Sequence, residues 1–420
     1  MSVFLDQASA MARRICRDAI WSGGCCNWIG PFIESFNMWD VRQKSFGPDL
    51  YSGTGGVALF LAAAAKLEPE RIVRKTAEGA ARHAHQHVDD FPPPLRIGVY
   101  SGTIGVAWAL IRVGELLGDS VWQDRGIALL DGLGPDPTDA GLDIMSGYAG
   151  AIPVLIQLAR RYGRPAWIEL ASHWGDQLER AASKSAEGWS WKTIDIPAAA
   201  AGRNLTGFSH GTAGIGWAFS ELAEATSETR FRAAAAEAFR YERTFYSPEN
   251  ENWPDFRDYL RPPGSPPEPM FGTAWCHGAP GIALSRLRSW RLTGDPQARA
   301  EAEAAVRTTK RSVEAPESVR AGFSLCHGCA GNADVLLEAE STLGATDLRT
   351  AAEKAGYMGI EQFESQRLPW PCGLQGAGET SNLMLGTAGI GYFYLRLANP
   401  SMPTVLMIGG REAAAATAAS

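Results

Sequence analysis

The sequence predicts an all-α protein closed into an α/α toroid, a double ring of seven helical hairpins. Three observations point there. A glycine pair with two residues between its members, followed by an apolar run, recurs seven times. The segments between copies are rich in Ala, Glu and Arg, which are good helix formers. The apolar runs are crowded with small residues and show little strand-like alternation, so they suit helices packed on all sides.

The copies begin with "YSGTGGVALFLAAA" from Tyr51, "YSGTIGVAWALIRV" from Tyr100 and "MSGYAGAIPVLIQLA" from Met145. "FSHGTAGIGWAFSEL" from Phe208, "WCHGAPGIALSRL" from Trp275, "LCHGCAGNADVLLEA" from Leu325 and "MLGTAGIGYFYLRLA" from Met384 follow. Their first glycines are Gly53, Gly102, Gly147, Gly211, Gly278, Gly328 and Gly386, spaced 45 to 67 residues apart. That spacing holds two helices and their loops at about 1.5 Å rise per residue. Each unit is expected to be an outer polar helix, a glycine loop and an inner apolar helix. Such units stack on their neighbours. Closure into a ring is favoured because the inner runs are apolar round much of their circumference.

Residues 47–408 form the expected seven-repeat domain. Residues 1–46 read as a helical lead-in packed on it, and 409–420, "GREAAAATAAS" and its preceding glycine, as a disordered tail. The chain has 420 residues, 45% hydrophobic and 20% charged, which suits a large globular core. A net charge of -7 provides no basic footprint for nucleic acid. No apolar stretch approaches 18 residues and the N-terminus lacks a signal-peptide core, so membrane insertion and secretion are not expected. Seven cysteines without a signal predict reduced thiols in a cytoplasmic protein.

Convergent loops would gather chemistry at one end of the ring. The copies at Gly53, Gly102 and Gly386 read as tight turns alone. Asp143 precedes copy three, His210 sits in copy four, Cys276 and His277 in copy five, Cys326 and His327 in copy six. Cys276 and Cys326 both lie two residues before the first glycine, so they occupy equivalent places in neighbouring repeats. Two thiolates and an imidazole suit Zn²⁺ with a fourth position open, the catalytic arrangement. Cys329 lacks an equivalent partner in copy five and the chain lacks a thioredoxin-like βαβ context, so Cys326 and Cys329 are not expected to act as a redox pair. Cys25, Cys26 and Cys372 read as structural thiols, and His83 to His87, "HAHQH", as a solvated helix face. The proline-rich stretch Tyr246 to Gly272 precedes Cys276 and is long enough to cover a site or hold a peptide.

Through all seven glycine motifs, from Gly47 to Ala398, the chain resembles the lanthionine synthetase C-like family, the lanthipeptide cyclases. "GFSHGTAGIG", "WCHGAPG" and "CHGCAG" together make that likeness specific. "WCHGAPGI" and "NPSMPTVLMI" are more similar to the cyclase half of class II synthetases than to free class I cyclases, without the dehydratase half. The resemblance implies a zinc enzyme that adds a cysteine thiol to dehydroalanine or dehydrobutyrine, forming lanthionine or methyllanthionine. It implies Cys276, Cys326 and His327 as zinc ligands, His210 as the acid–base residue and Asp143 as its companion. The partner would be a precursor peptide dehydrated by a separate enzyme. His277, where class I cyclases often carry Tyr, and Arg203, before His210, are possible substrate contacts. Rival readings are other thiol additions, such as aminovinyl-cysteine assembly or glutathione adducts, and a non-catalytic peptide scaffold.

The chemistry gives zinc a purpose. A free cysteine with pKa about 8.5 is only about 3% thiolate at pH 7. Full deprotonation on a metal recovers about 30-fold, or about 2 kcal/mol. The enolate formed after addition needs a proton, which a histidine can donate near neutrality.

Overall fold

The computed structural model describes residues 2–33, 41–194, 203–257, 269–374 and 378–410. Seven inner helices run α2 (Thr54–Leu67), α4 (Thr103–Leu117), α6 (Tyr148–Tyr162), α8 (Thr212–Thr226), α10 (Ala279–Thr293), α13 (Cys329–Leu343) and α15 (Thr387–Ala398). Each starts just after the first glycine of a repeat. Six are followed by the outer helix they pack on: α3 (Arg71–Gln86), α5 (Ser120–Asp131), α7 (Pro165–Ala181), α9 (Thr229–Thr244), α11 (Pro296–Glu314) and α14 (Thr346–Gly359). A one-turn helix, α12 (Ser318–Ala321), leads into copy six. Outer helix, glycine loop and inner helix follow one another along the chain as expected, while each of these inner helices packs most closely on the outer helix that follows it.

The seventh outer helix comes from the other end of the chain. Helix α1 (Val3–Arg17) packs against α15 and closes the double ring. Its buried Phe4, Ala8, Met11, Ala12 and Ile15 form one stripe at helical spacing. Arg14 Nη2 donates to Glu364 Oε2 at 2.6 Å, and the Phe4 ring lies 6.1 Å from that of Tyr394.

The expected helical lead-in over 1–46 ends at Arg17. Two antiparallel ribbons follow: β1 (Ile20–Ser22) with β2 (Cys25–Asn27), and β3 (Ile29–Ile33) with β4 (Val41–Ser45). Gly23 and Gly24 join the first pair with φ of 56° and 82°, the two positive values of a tight hairpin turn. A third ribbon, β5 (Ser183–Ser185) with β6 (Gly188–Ser190), follows α7.

Burial separates the two rings. In α2 every residue from Thr54 to Ala65 is buried. In α11 the buried positions Ala298, Ala302, Ala305, Thr309 and Val313 trace one face. Close backbone approach explains the glycine pair. A Cβ on Gly331 would sit 1.8 Å from the Leu325 carbonyl oxygen, and the second glycine of every copy meets the equivalent carbonyl. Positive φ is required at only one first glycine, Gly278, at 99°.

The loops are stitched to one another by backbone bonds between residues at or beside the position two before the first glycine. Tyr51 N–H donates to Tyr100 O (2.8 Å), Tyr100 to Met145 (3.0 Å), Ile144 to Ser209 (3.1 Å) and Ser209 to Cys276 (3.2 Å). Cys326 donates to Met384 (2.9 Å) and Met384 to Tyr51 (2.9 Å). Among the described residues, no backbone bond joins Cys276 to Cys326.

The C-terminal segment fills the ring. Val405 and Leu406 are buried, and their carbonyls accept from Tyr100 Oη (2.8 Å) and Trp275 Nε1 (2.7 Å). Thr404 Oγ1 donates to Asp334 Oδ2 at 2.5 Å, and Asp334 and Glu338 both pair with buried Arg396. Gly409 ends this plug against Pro153, and the expected disordered tail beyond Gly410 lies outside the described residues. Among the described residues, no helix is long and apolar enough to cross a membrane.

Leu406 is fully buried in the plug, so Leu406→Ala should cost about 2–5 kcal/mol of stability. Denaturant unfolding of the variant beside wild type measures it.

Candidate metal centre and its surroundings

Loops five and six bring Cys276, Cys326 and His327 together, with one ligand atom from each lying within 4.8 Å of the others. The residues present fit a zinc-type ion. His327 Nε2 lies 2.7 Å from the Gly373 carbonyl, which can only accept, so Nε2 holds the proton and Nδ1 is left to a metal. The Cys326 pKa is lowered, chiefly by the neighbouring Cys276 thiol and further by the Tyr51 hydroxyl, against burial. The Cys326 sulfur and burial hold Cys276 well above the usual thiol range. A divalent ion there would favour ionisation of both thiols.

Across the mouth, His210 Nδ1 lies 2.6 Å from Asp143 Oδ2. His210 remains 29% exposed at its side chain and Asp143 only 4%. Burial pulls the His210 pKa down, but the charge and hydrogen bond of Asp143 outweigh it, so the pKa is raised. Asp143 Oδ1 accepts from Ser146 N at 2.8 Å, so one oxygen holds the loop and the other holds the imidazole. His277 is buried beneath His210, ring centroids 5.9 Å apart. Burial, helped by Arg257, pushes its pKa down to about 3.

The other predicted residues fall elsewhere. Arg203 is exposed, and its guanidinium stacks over Phe245 (5.1 Å) and Phe256 (5.7 Å) rather than over the sulfurs. Cys329 is buried, 3.8 Å from Ser318 Oγ. The expected solvated face at His83 is tied into the protein. His83 lies 2.9 Å from Asn27 Nδ2 and 3.0 Å from Thr54 Oγ1, beside a cavity of about 470 Å³ also lined by Phe32, Lys44 and Asp49.

Three side chains about the site escaped the sequence reading. Tyr51 occupies the same place in its repeat as Cys276 and Cys326, and that register was the available signal. Arg257 lies in the proline-rich stretch and is held by Asp255, Nη2 to Oδ2 at 2.6 Å. Residues 258–268 of that stretch lie outside the described residues. Glu242, fully buried on α9, clasps the His210 loop. Its Oε1 accepts from Gly207 N (3.1 Å) and Ala213 N (2.9 Å).

The fold and the site define an α/α toroid whose loop end holds a candidate Cys₂His metal centre facing a His–Asp pair. The family model described as lanthionine synthetase C-like protein matches residues 44–408. The chain belongs to the lanthionine synthetase C-like family. It is 24% identical over 382 residues to the lacticin 481/lactococcin biosynthesis protein LcnDR2 of Lactococcus lactis subsp. lactis. That match takes in 88% of this chain but 38% of the relative, so the chain spans well under half of the relative's length. Among solved structures, nisin cyclase is similar with a TM-score of 0.66 and 17% identity, over 85% of this chain and 90% of that one. A GH76 α-mannanase of Bacteroides thetaiotaomicron is similar at 0.50 and 12%, over 95% and 96% of the two chains. At these identities the structural likenesses speak for the shared toroid alone.

Burial drives the Glu242 pKa up to about 8, against Arg286 and the two backbone donors. A carboxyl whose folded pKa is raised stabilises the fold while protonated, and that contribution fades as pH rises from about 4.5 through about 8. Wild type should lose more stability than Glu242→Gln between pH 5 and pH 8, by at most about 1.4 kcal/mol per pH unit. Paired denaturant curves at the two pH values check this.

Proposed function

We propose that this chain is a zinc-dependent lanthipeptide cyclase. It adds a peptide cysteine thiol to dehydroalanine or dehydrobutyrine, forming lanthionine or methyllanthionine rings. The observation behind this is the convergence of Cys276, Cys326 and His327 with the Asp143–His210 pair on the loops of copies three to six of a chain in this family. The likeness to a lacticin biosynthesis protein supports a peptide substrate. The substrate would be dehydrated beforehand by a separate enzyme, in the cytoplasm.

Cys276, Cys326 and His327 would hold the zinc, which supplies an acidic site where an incoming thiol ionises near neutral pH. The protein's own groups do the rest. The substrate sulfur bonds to the β-carbon, and the C=C pair moves to give an enolate. Asp143 Oδ2 fixes the His210 proton on Nδ1, so Nε2–H faces the mouth and donates to the α-carbon. The thiol proton leaves to solvent, and the net change is S–H added across C=C. The raised His210 pKa keeps more of this acid protonated near pH 7.

Elemental analysis should find about one zinc per wild-type chain and none in Cys326→Ala. Well-folded wild type without zinc under reducing conditions would sink this reading. His210→Ala should lower kcat by about 10²–10⁴-fold while zinc stays bound. Thiol alkylation and mass spectrometry of a dehydrated, cysteine-containing peptide follow the reaction. In Asp143→Asn the His210 pKa loses its main support. The alkaline fall in kcat should therefore move to lower pH, and an unmoved pH profile would remove Asp143 from this role.

A further inference from the structure

We infer that residues 404–408, the plug, are a positioning element of the candidate metal centre: through the Leu406 carbonyl they hold the Trp275 indole, and the indole fixes the direction in which Cys276 presents its sulfur to a metal. The inference rests on the zinc reading of Cys276, Cys326 and His327, and it adds the part of the chain that tunes their affinity. Cys276 is the ligand, and Trp275 acts through it.

Cys276 needs such support because the backbone circle holds it on one side. Its carbonyl accepts from Ser209 N at 3.2 Å and from Ser209 Oγ at 3.2 Å, so the loop of copy four fixes that side. Towards Cys326 no backbone bond joins the two loops among the described residues. The ends of the Cys276 loop are tied, Thr273 O by Asn332 Nδ2 (2.9 Å) and Ala279 N by Asn252 Oδ1 (2.9 Å). Its crest, residues 274–278, stands between them, closed by the Ala274 N–H on the His277 carbonyl at 3.1 Å. The crest carries the sulfur, and Trp275 is the crest residue that reaches the plug inside the ring.

The Trp275 indole is fully buried and held at three points. Its Nε1 donates to the Leu406 carbonyl at 2.7 Å. The Tyr100 ring meets it edge on at 5.0 Å, and the Phe208 ring at 5.9 Å. Tyr100 is itself fastened to the plug, Oη to the Val405 carbonyl at 2.8 Å. Two adjacent plug carbonyls thus hold one side chain from copy two and one from copy five, on opposite sides of the ring. The plug in turn is moored on the inner helices. Thr404 Oγ1 donates to Asp334 Oδ2 on α13 at 2.5 Å, and Arg396 Nε on α15 donates to the Met402 carbonyl at 3.0 Å. A buried N–H without a partner is costly, so the indole, and the crest that carries it, stay where the Leu406 carbonyl is. Groups that orient a metal ligand change the affinity by about 10–100-fold.

The test measures zinc affinity of the full chain by competition with a chromogenic chelator. It also records the sulfur-to-metal charge-transfer band of the Co²⁺-loaded protein. Trp275→Phe keeps an aromatic ring and removes the N–H. Leu406→Ala keeps the plug carbonyl and removes buried side chain, so it separates affinity from stability. Trp275→Phe should bind zinc about tenfold more weakly or worse and alter the Co²⁺ band, while the less stable Leu406→Ala stays within about threefold of wild type. Trp275→Phe within about threefold of wild type overturns the assignment. So does an equal loss in both variants, which would make affinity follow stability alone. If Trp275→Phe does not fold, Trp275→β-(3-benzothienyl)alanine, which has the shape of the indole without its N–H, decides by the same threshold. A well-folded wild type that holds no zinc overturns the zinc reading itself, and the assignment with it.

Discussion

The structure depends on a circle of backbone hydrogen bonds at the loop end of the ring. Each loop passes an N–H to the carbonyl of the next, and the circle brings the last repeat back to the first through Met384 and Tyr51. Seven inner helices converge at that end with their partial positive charges pointing inward. Their loops need fixed partners, because buried backbone groups left unpaired are costly. Six steps of the circle are made by the backbone. The seventh step, between the loops of Cys276 and Cys326, has no such backbone bond among the described residues; there Cys276, Cys326 and His327 face one another with ligand atoms within 4.8 Å. The candidate metal centre therefore stands where the ring has no backbone closure, and a metal there would tie copies five and six as well as serve chemistry.

The repeats contain their own control for the His–Asp pair. Asp49 lies four residues before Gly53, as Asp143 lies four before Gly147. Asp49 Oδ1 accepts from Ser52 N at 2.6 Å, the same turn that Asp143 makes with Ser146. Asn382 repeats it in copy seven with Leu385 N at 3.0 Å. The turn thus accounts for one oxygen at each position and for none of the second oxygen of Asp143, which holds His210. What separates copy three from copies one and seven is the imidazole supplied by the neighbouring loop. The His210–Asp143 contact is built on a structural device that the repeat uses elsewhere.

Legibility followed the periodicity. The glycine pair was plain because a steric demand repeated seven times leaves the same residue each time. The sulfurs were legible because their shared register survives any uncertainty about helix ends. The N-terminal ribbons were hidden behind a helical expectation, although Gly23-Gly24 between Ile20-Trp21 and Cys25-Cys26 is a hairpin signal. Glu242 was masked by the outer-helix pattern, where a glutamate reads as solvated until the loop above it is seen to need an acceptor. Arg257 lay outside every repeat, so no register could single it out. The plug was not legible, since nothing local in "NPSMPTVLMI" says that Leu406 reaches the indole of Trp275 beside Cys276.

Two registers explain why the site takes up only part of the ring. The residue two before the first glycine runs Tyr51, Tyr100, Met145, Ser209, Cys276, Cys326 and Met384 around the circle. The residue one before it runs Ser52, Ser101, Ser146, His210, His277, His327 and Leu385. Histidines fill the second register in three consecutive copies, and sulfurs fill the first in two of them. The spacing between His210 and the Cys276, Cys326 and His327 cluster is therefore set by the pitch of the ring rather than by any one loop. His277 stands in the middle copy, buried and neutral, between the copies that carry His210 and His327. Sliding the sulfurs by one copy would put them against the His210 loop, and sliding His210 would remove it from Asp143. The order of residue types around the ring defines the working distance, and the backbone circle keeps it.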